Sequence, residues 1–282
     1  MEKFQTHPLG EAETILFATD GSSYTEGAAQ EAISFSHACN AKLIILYAIP
    51  VGSEIASTVH AQSMEKMAAI QPYFDNMKKI AADHDIACET IALQSYQPEK
   101  TIVEKAQKYK ADIIVMGRHG KRGLLKLLVG SMTAKVIGQG FPKVLVVPQD
   151  FVISGHTILL ATDGSKFSQL ATHETISLAE NCQSLKKLLV LSVAQKNAGL
   201  ENAKKNIEDA KNLINKSKVD ITCDYLAEVG SPAETIVQQA QKHSADIIIM
   251  GGYGREMSKL LMGHVTERVI GKAHGAVLVI GE

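Results

Sequence analysis

The sequence predicts an α/β protein made of two tandem doubly wound domains, each with a five-stranded parallel sheet. Three observations carry that prediction. Short apolar runs alternate with stretches of helical spacing, the chain repeats itself once, and a glycine-rich segment follows the fourth apolar run of the first copy. The repeat is plain in Ile15 to Ser22 (ILFATDGS), which returns as Ile158 to Ser165 (ILLATDGS), and in Thr101 to Gly117, which returns as Thr235 to Gly251. A unit of this length is a whole domain, too long for a solenoid repeat. The 282 residues also amount to about two domains at ~150 residues each, which sets the expected domains at 1–150 and 151–282.

Each element has its own reason. Thr14 to Thr19 is a short apolar strand, and Tyr24 to Cys39 places Ala28, Ala32, Phe35 and Ala38 at helical spacing. Leu43 to Ile49 is apolar without a break, as a strand covered on both faces should be. A helix is expected from Ser63 to Asp83, with a kink or break near Gln71, because Pro72 lacks the N–H that a helix interior needs. Ile86 to Leu93 reads as a strand, Glu99 to Tyr109 as a helix and Asp112 to Met116 as the fourth strand. Gly130 to Gly138 gives a helix and Lys143 to Val147 the last strand, and the order repeats from Thr157 to Ile280. Right-handed crossovers then place helices on both faces of parallel sheets. In such sheets a ligand binds beyond the carboxyl ends of the strands, where the strand order reverses. If the first and fourth strands are neighbours, Asp20 and Gly117 face one crevice.

The copies differ in length. Asp20 and Asp163 lie 143 positions apart, but Gly117 and Gly251 only 134, so the second copy is nine residues shorter between them. The segment Val51 to Ala61, rich in small and polar residues, reads as a loop and as the place of the loss.

Composition bounds the function. With 45% hydrophobic and 21% charged residues the chain is an ordinary globular protein, and a net charge of −1 argues against a nucleic-acid backbone as partner. Cys39, Cys88, Cys182 and Cys223 form no C-x-x-C pair, and buried free thiols are the expectation. No stretch resembles a signal peptide or a membrane span, so the expected location is the cytoplasm. There is no G-x-G-x-x-G after the first strand of either half, no P-loop, no metal-ligand spacing among the ten histidines and no G-x-S-x-G elbow. No catalytic residues are assigned.

What remains is an anion site. The stretch Met116 to Thr133 places Gly117, Gly120, Gly130 and Ser131 where a strand turns into a helix. Glycine allows close approach and positive φ, and the free N–H groups of a helix start favour an anion, so this is a phosphate cradle. The bland alternative is glycines in turns, with Ser131 capping the helix. Lys121, Arg122 and Lys126 flank the loop; a solvated basic loop explains them almost as well as charge screening does. Asp20 ends the first strand, where its carboxylate suits ribose hydroxyls or a divalent cation, or forms a turn or cap. Thr19 and Ser22 are ambiguous, since hydroxyls favour turns without any ligand.

These residues closely resemble the universal stress protein family in its tandem-domain form, over almost the whole of both halves. The ATP-binding branch of that family carries Gly-x2-Gly-x9-Gly-(Ser/Thr), and Gly117, Gly120, Gly130 and Ser131 match it. The resemblance implies the adenine nucleotide alpha hydrolase-like fold and ATP, ADP or AMP as ligand, with Mg²⁺ a candidate companion held through Asp20. It implies that Gly117, Gly120, Gly130, Ser131 and Met132 bind the phosphates, with Thr133 adjacent. Ala18, Thr19 and Asp20 would then lie along the adenosine and the main chain of Ala48 would read the adenine edge, while Met116, Arg118 and His119 line the pocket. A second, weaker site comprises Asp163, Val193, Gly251, Gly254, Gly263 and His264. There only eight residues separate the last two glycines, and His264 replaces the hydroxyl residue. Losing a hydrogen bond to a charged group costs ~1.5 to 3 kcal/mol, roughly 10- to 150-fold in affinity, so the first half is expected to bind ATP more tightly. The family also implies pairing through the last strand of each half, Lys143 to Val147 and Val277 to Ile280, either within one chain as a pseudo-dimer or between chains as a homodimer.

Four functions are compatible with these residues. The first is a stress-response nucleotide sensor acting on an unidentified protein partner. The others are a slow Mg-dependent ATPase or phosphotransferase, a nucleotide-independent scaffold, and a flavodoxin-like carrier, in which Asp20 would repel the phosphate.

Overall fold

The computed structural model describes residues 12–51, 56–119, 129–253 and 262–282. In the first half the order is β1 (Thr14–Ala18), α1 (Glu26–Cys39), β2 (Lys42–Pro50), α2 (Ala56–Asp83), β3 (Cys88–Ser95), α3 (Pro98–Lys108), β4 (Ile113–Gly117), α4 (Ser131–Gly138) and β5 (Lys143–Val147). The second half repeats it as β6 (Thr157–Ala161), α5 (Lys166–Asn181), β7 (Lys187–Ala194), α6 (Leu200–Asn215), β8 (Thr222–Val229), α7 (Pro232–Lys242), β9 (Ile247–Gly251), α8 (His264–Lys272) and β10 (Ala276–Ile280). Short 3₁₀ turns at Ser23–Thr25 and Asn197–Gly199 precede α1 and α6.

The strands of each half are parallel, and the two sheets join into one of ten strands in the order β3-β2-β1-β4-β5-β10-β9-β6-β7-β8. The junction is the antiparallel pair β5–β10, with Val146 opposite Val277 and Val144 opposite Val279. The sequence predicts one five-stranded sheet in each half, and the last strands of the two pair within the chain, the pseudo-dimer arrangement that the family resemblance implies. The Lys143 ammonium adds an ion pair across the junction, 2.7 Å from the Glu174 carboxylate on α5. Gly281 N–H donates to the Pro142 carbonyl at 2.8 Å beside it.

Two apolar layers cover the sheet, and strand alternation sorts residues between them. Ile15, Phe17, Leu43 and Ile45 face α1 and α2, with Phe35, Phe74 and Met77. Leu16, Ala18, Ile44 and Leu46 face the opposite layer, with Ile102, Val103, Val136 and Ile137 of α3 and α4. Because both faces are covered, the strands read as unbroken apolar runs.

Two sequence expectations fail in the same segment. α2 runs from Ala56 to Asp83 through Pro72 without a break. Burial of Ile70, Phe74, Met77 and Ala81, each at most 5% exposed, outweighs the lost N–H and ring clash, worth ~3 kcal/mol. The segment expected as a loop to Ala61 is already helical from Ala56, so the length difference between the copies lies in the crossover helix, 28 residues in α2 against 16 in α6. The cysteines are all free thiols, but only Cys182 is fully buried.

The link between halves is pinned from both sides. Asp246 accepts from Ser154 Oγ, His156 N–H and Thr157 N–H at 2.8 to 3.1 Å. Glu31 on α1, 1% exposed, accepts from Ile153 N–H at 2.9 Å.

Candidate functional site

β1 lies between β2 and β4, with Ala18 opposite both Leu46 and Met116. The chain leaves β1 toward β2 and β3 and later returns on the other side through β4, so the strand order reverses here, the place where sheets of this kind bind their ligands. Ala18, Ala48, Met116 and Met132 share one apolar layer with Val129 and Leu93. Four of the sequence-predicted site residues therefore meet on one face of the sheet.

The Leu46 carbonyl accepts from Thr19 N–H at 3.0 Å. Main-chain groups along a strand repeat their direction every two residues, so the N–H and C=O of Ala48 point to the same side, past the end of β1. Leu191 accepts from Thr162 N–H at 2.9 Å in the second half, which orients Val193 in the same way.

At the end of β1 the hydroxyls form a turn. Thr19 Oγ1 lies 2.8 Å from Thr25 Oγ1 and accepts from Gly21 N–H. Asp20 Oδ1 accepts from Ser22 N–H at 3.1 Å and from Ser22 Oγ at 2.6 Å. The turn reading of Asp20 is thus realised, and Asp163 repeats it by accepting from Ser165 N–H at 2.9 Å. Thr162 and Ser168 repeat the hydroxyl contact at 3.2 Å. Sequence reasoning missed Thr25 and Ser168; the legible signal was a hydroxyl residue six positions after each repeated threonine.

Gly117 ends β4, and Gly130 is the N-cap of α4, which has no side-chain cap. Ser131 therefore does not cap the helix; it is the exposed first residue. Neither glycine adopts positive φ. A Cβ on Gly117 would lie 3.0 Å from the Tyr24 carbonyl oxygen, and one on Gly130 would lie 3.0 Å from that of Arg118. Close approach of the chain to itself, rather than a left-handed backbone, selects glycine at both positions. Positive φ falls instead to Gly21 and Gly164 in the turn after each first strand. Gly130 N–H donates to the Arg118 carbonyl at 2.8 Å, and Thr133 Oγ1 donates to the Gly117 carbonyl at 3.0 Å. These bonds fasten the start of α4 to the end of β4. Gly120 lies outside the described residues.

Arg118 and His119 are half-buried at the rim. Burial lowers the Arg118 pKa, and burial followed by the Arg118 charge lowers that of His119. Arg118 Nη1 donates to the Ala273 carbonyl in the other half at 2.6 Å. Arg118 Nε and His119 Nε2 are buried without a hydrogen-bond partner among the described residues. Buried polar atoms are nearly always paired; the main chain of both residues packs against Gly130 at the start of α4, and Arg118 Nε is a donor while His119 Nε2 donates only in the form that carries its proton.

The pattern of the universal stress protein family matches the chain twice, over residues 11–148 and 155–281. The chain belongs to the universal stress protein family. A universal stress protein of Methanocaldococcus jannaschii is 33% identical over 138 residues, which are 47% of this chain and 80% of that one. Another from Mycobacterium tuberculosis is 24% identical over 214 residues, 71% of each chain. Among solved structures, a universal stress protein of Archaeoglobus fulgidus superposes with a TM-score of 0.75 at 19% identity, covering 95% of this chain and 98% of its own.

The second half of this universal stress protein repeats the scaffold with different side chains. Thr266 Oγ1 donates to the Gly251 carbonyl at 3.0 Å, and Gly263 N–H to the Gly252 carbonyl at 2.9 Å. His264 opens α8 with its side chain 84% exposed, and its Nδ1 is 3.8 Å from Glu267 Oε2 in the same first turn. Asp163 is exposed and Val193 half-buried. Gly254 lies outside the described residues. Where the first half has His119, the second has Tyr253, 4% exposed, with its ring 5.0 Å from that of Phe167. Among the described residues no helix is long and apolar enough to cross a membrane.

Proposed function

We propose that this protein binds an adenine nucleotide, ATP with ADP or AMP as alternatives, at the carboxyl ends of β1, β2 and β4. Occupancy alters its conformation or its hold on a protein partner in a cytoplasmic stress response. One observation carries the reading: the start of α4 has no side-chain cap, and its N-cap Gly130 packs against the main chain of Arg118 and His119, whose Nε and Nε2 atoms are buried without a hydrogen-bond partner among the described residues. A phosphate answers these groups, and a helix start favours it by ~0.3–1 kcal/mol. In this reading Gly117, Gly120, Gly130, Ser131 and Met132 carry the phosphates, with Mg²⁺ beside Asp20. Ala18, Thr19 and Asp20 follow the ribose, and the Ala48 main chain meets the adenine edge. Each domain, 1–150 and 151–282, is one such module. The second is the weaker, because Glu267 places a carboxylate in the first turn of α8 and a like charge there repels phosphate.

The steric need for Gly117 and Gly130 supports a second reading. Both glycines serve the fold with or without a ligand, as a nucleotide-independent scaffold requires. Calorimetric titration of the full chain with ATP separates the two. About one strong site per chain is expected, together with an adenine nucleotide released from freshly purified protein and detected by mass spectrometry. Absence of heat at millimolar ATP overturns the nucleotide reading and leaves the scaffold. A hydrolysis rate well above background in wild type that vanishes in Asp20→Ala would instead mark a slow ATPase.

A further inference from the structure

We infer that each half positions the cradle helix of the other: Tyr253 from the second half anchors the carboxyl end of α4, whose start carries the anion site. The inference rests on the nucleotide reading of the first cradle. Tyr253 Oη donates to the Ile137 carbonyl at 2.8 Å, in the last turn of α4. The reciprocal bond runs from Arg118 Nη1 to the Ala273 carbonyl at 2.6 Å, one residue past α8. Arg118, directly after β4, and Tyr253, two residues after β9, thus each hold the carboxyl end of the opposite helix, across the β5–β10 junction.

Three features make this more than a surface contact. The Tyr253 ring is buried and packed on Phe167, so its hydroxyl is a fixed donor, shielded from water. The guanidinium of Arg118 meets the negative end of the α8 dipole, where a cation is favoured. The two bonds also come from different positions of the repeat. Arg118 corresponds to Gly252, whose Cβ would already lie 3.1 Å from Val279 Cγ1, and Tyr253 corresponds to His119. The duplication alone therefore does not account for them; the halves carry complementary side chains.

The consequence lies in leverage. α4 has eight residues, a rod of about 12 Å, so anchoring its carboxyl end fixes where its first amides point. Arg118 belongs to both the cradle rim and the junction. A ligand that fixes the first cradle also fixes the Ala273 contact, and tightening the junction strengthens the ligand in return, because coupling between sites is reciprocal.

Hydrogen exchange by mass spectrometry and ATP titration, on full-length wild type and Tyr253→Phe, test the inference. Phenylalanine keeps the ring packing and removes only the donor. In wild type, ATP is expected to slow exchange at 129–134 and, across the junction, at 269–273. In Tyr253→Phe, residues 134–140 exchange faster without ligand, and ATP binds more weakly, by up to about 10-fold, the most that loss of one intramolecular hydrogen bond can pass on to the site. Protection confined to 129–134, with the affinity of Tyr253→Phe unchanged, overturns the inference and leaves the nucleotide reading intact. ATP protection at 263–267 without any at 129–134 also overturns it. No binding by wild type overturns the nucleotide reading, and this inference with it.

Discussion

Glu31 is a buried carboxyl whose pKa burial pushes up to about 7; the Ile153 N–H bond opposes the rise and the Asp246 charge adds to it. Its Oε2 has no hydrogen-bond partner, so ionisation is costly in the fold. The folded pKa lies above the ordinary value of 4.5. The stabilising contribution is therefore complete below about pH 4.5 and is lost as the pH rises through about 7, on the order of 3 kcal/mol in all. Glu31→Gln should flatten that part of the pH profile and equal or exceed wild type in stability at pH 8, as urea denaturation across pH 4.5 to 8 would show. A wild-type profile that rises toward pH 7 would refute this account. Gly130→Ala should lower stability by about 1–3 kcal/mol, because its Cβ meets backbone atoms of Arg118 and His119 that have little room to shift. The same denaturation series measures it. The spacing of these glycines was legible in the sequence; their reason was not, because close approach between Gly117 and the Tyr24 carbonyl depends on how the first helix folds back onto β4.

At the scale of elements, strands were the most legible part of the chain. Lys143–Val147 begins and ends where the apolar run does, and most other boundaries moved by one or two residues, as helix and strand ends commonly do. α2 was less legible, since Pro72 is a local signal and its override comes from tertiary contacts of Phe74 and Met77 that no local window contains. Pro72 is exposed, so Pro72→Ala removes the ring clash and restores an N–H without opening a cavity. It should stabilise the protein by up to about 3 kcal/mol. An unchanged or lower urea midpoint would mean that the proline sets the helix direction needed to seat Phe74.

For the whole molecule, the continuous sheet predicts cooperative unfolding. Leu145 and Leu278 face each other in β5 and β10, each 1% exposed. Heating should give a single calorimetric transition in wild type. Val279→Pro, which removes a ladder donor and places a ring in the sheet interior, should split it into two. Two transitions in wild type would show that the junction contributes little. The pairing of last strands was implied by resemblance alone. Nothing in Val144 to Val147 or Val277 to Ile280 distinguishes a strand that meets its twin from one that ends a sheet.

The position of that junction has a further consequence, for mass action. A contact joining separate chains dissociates on dilution, whereas two modules tethered through residues 148–156 meet at an effective concentration in the millimolar range. Their association is therefore indifferent to how much protein the cell makes. Because both modules are always translated together, one can lose a chemical group while the other keeps it, and no shuffling of subunits restores the symmetric pair.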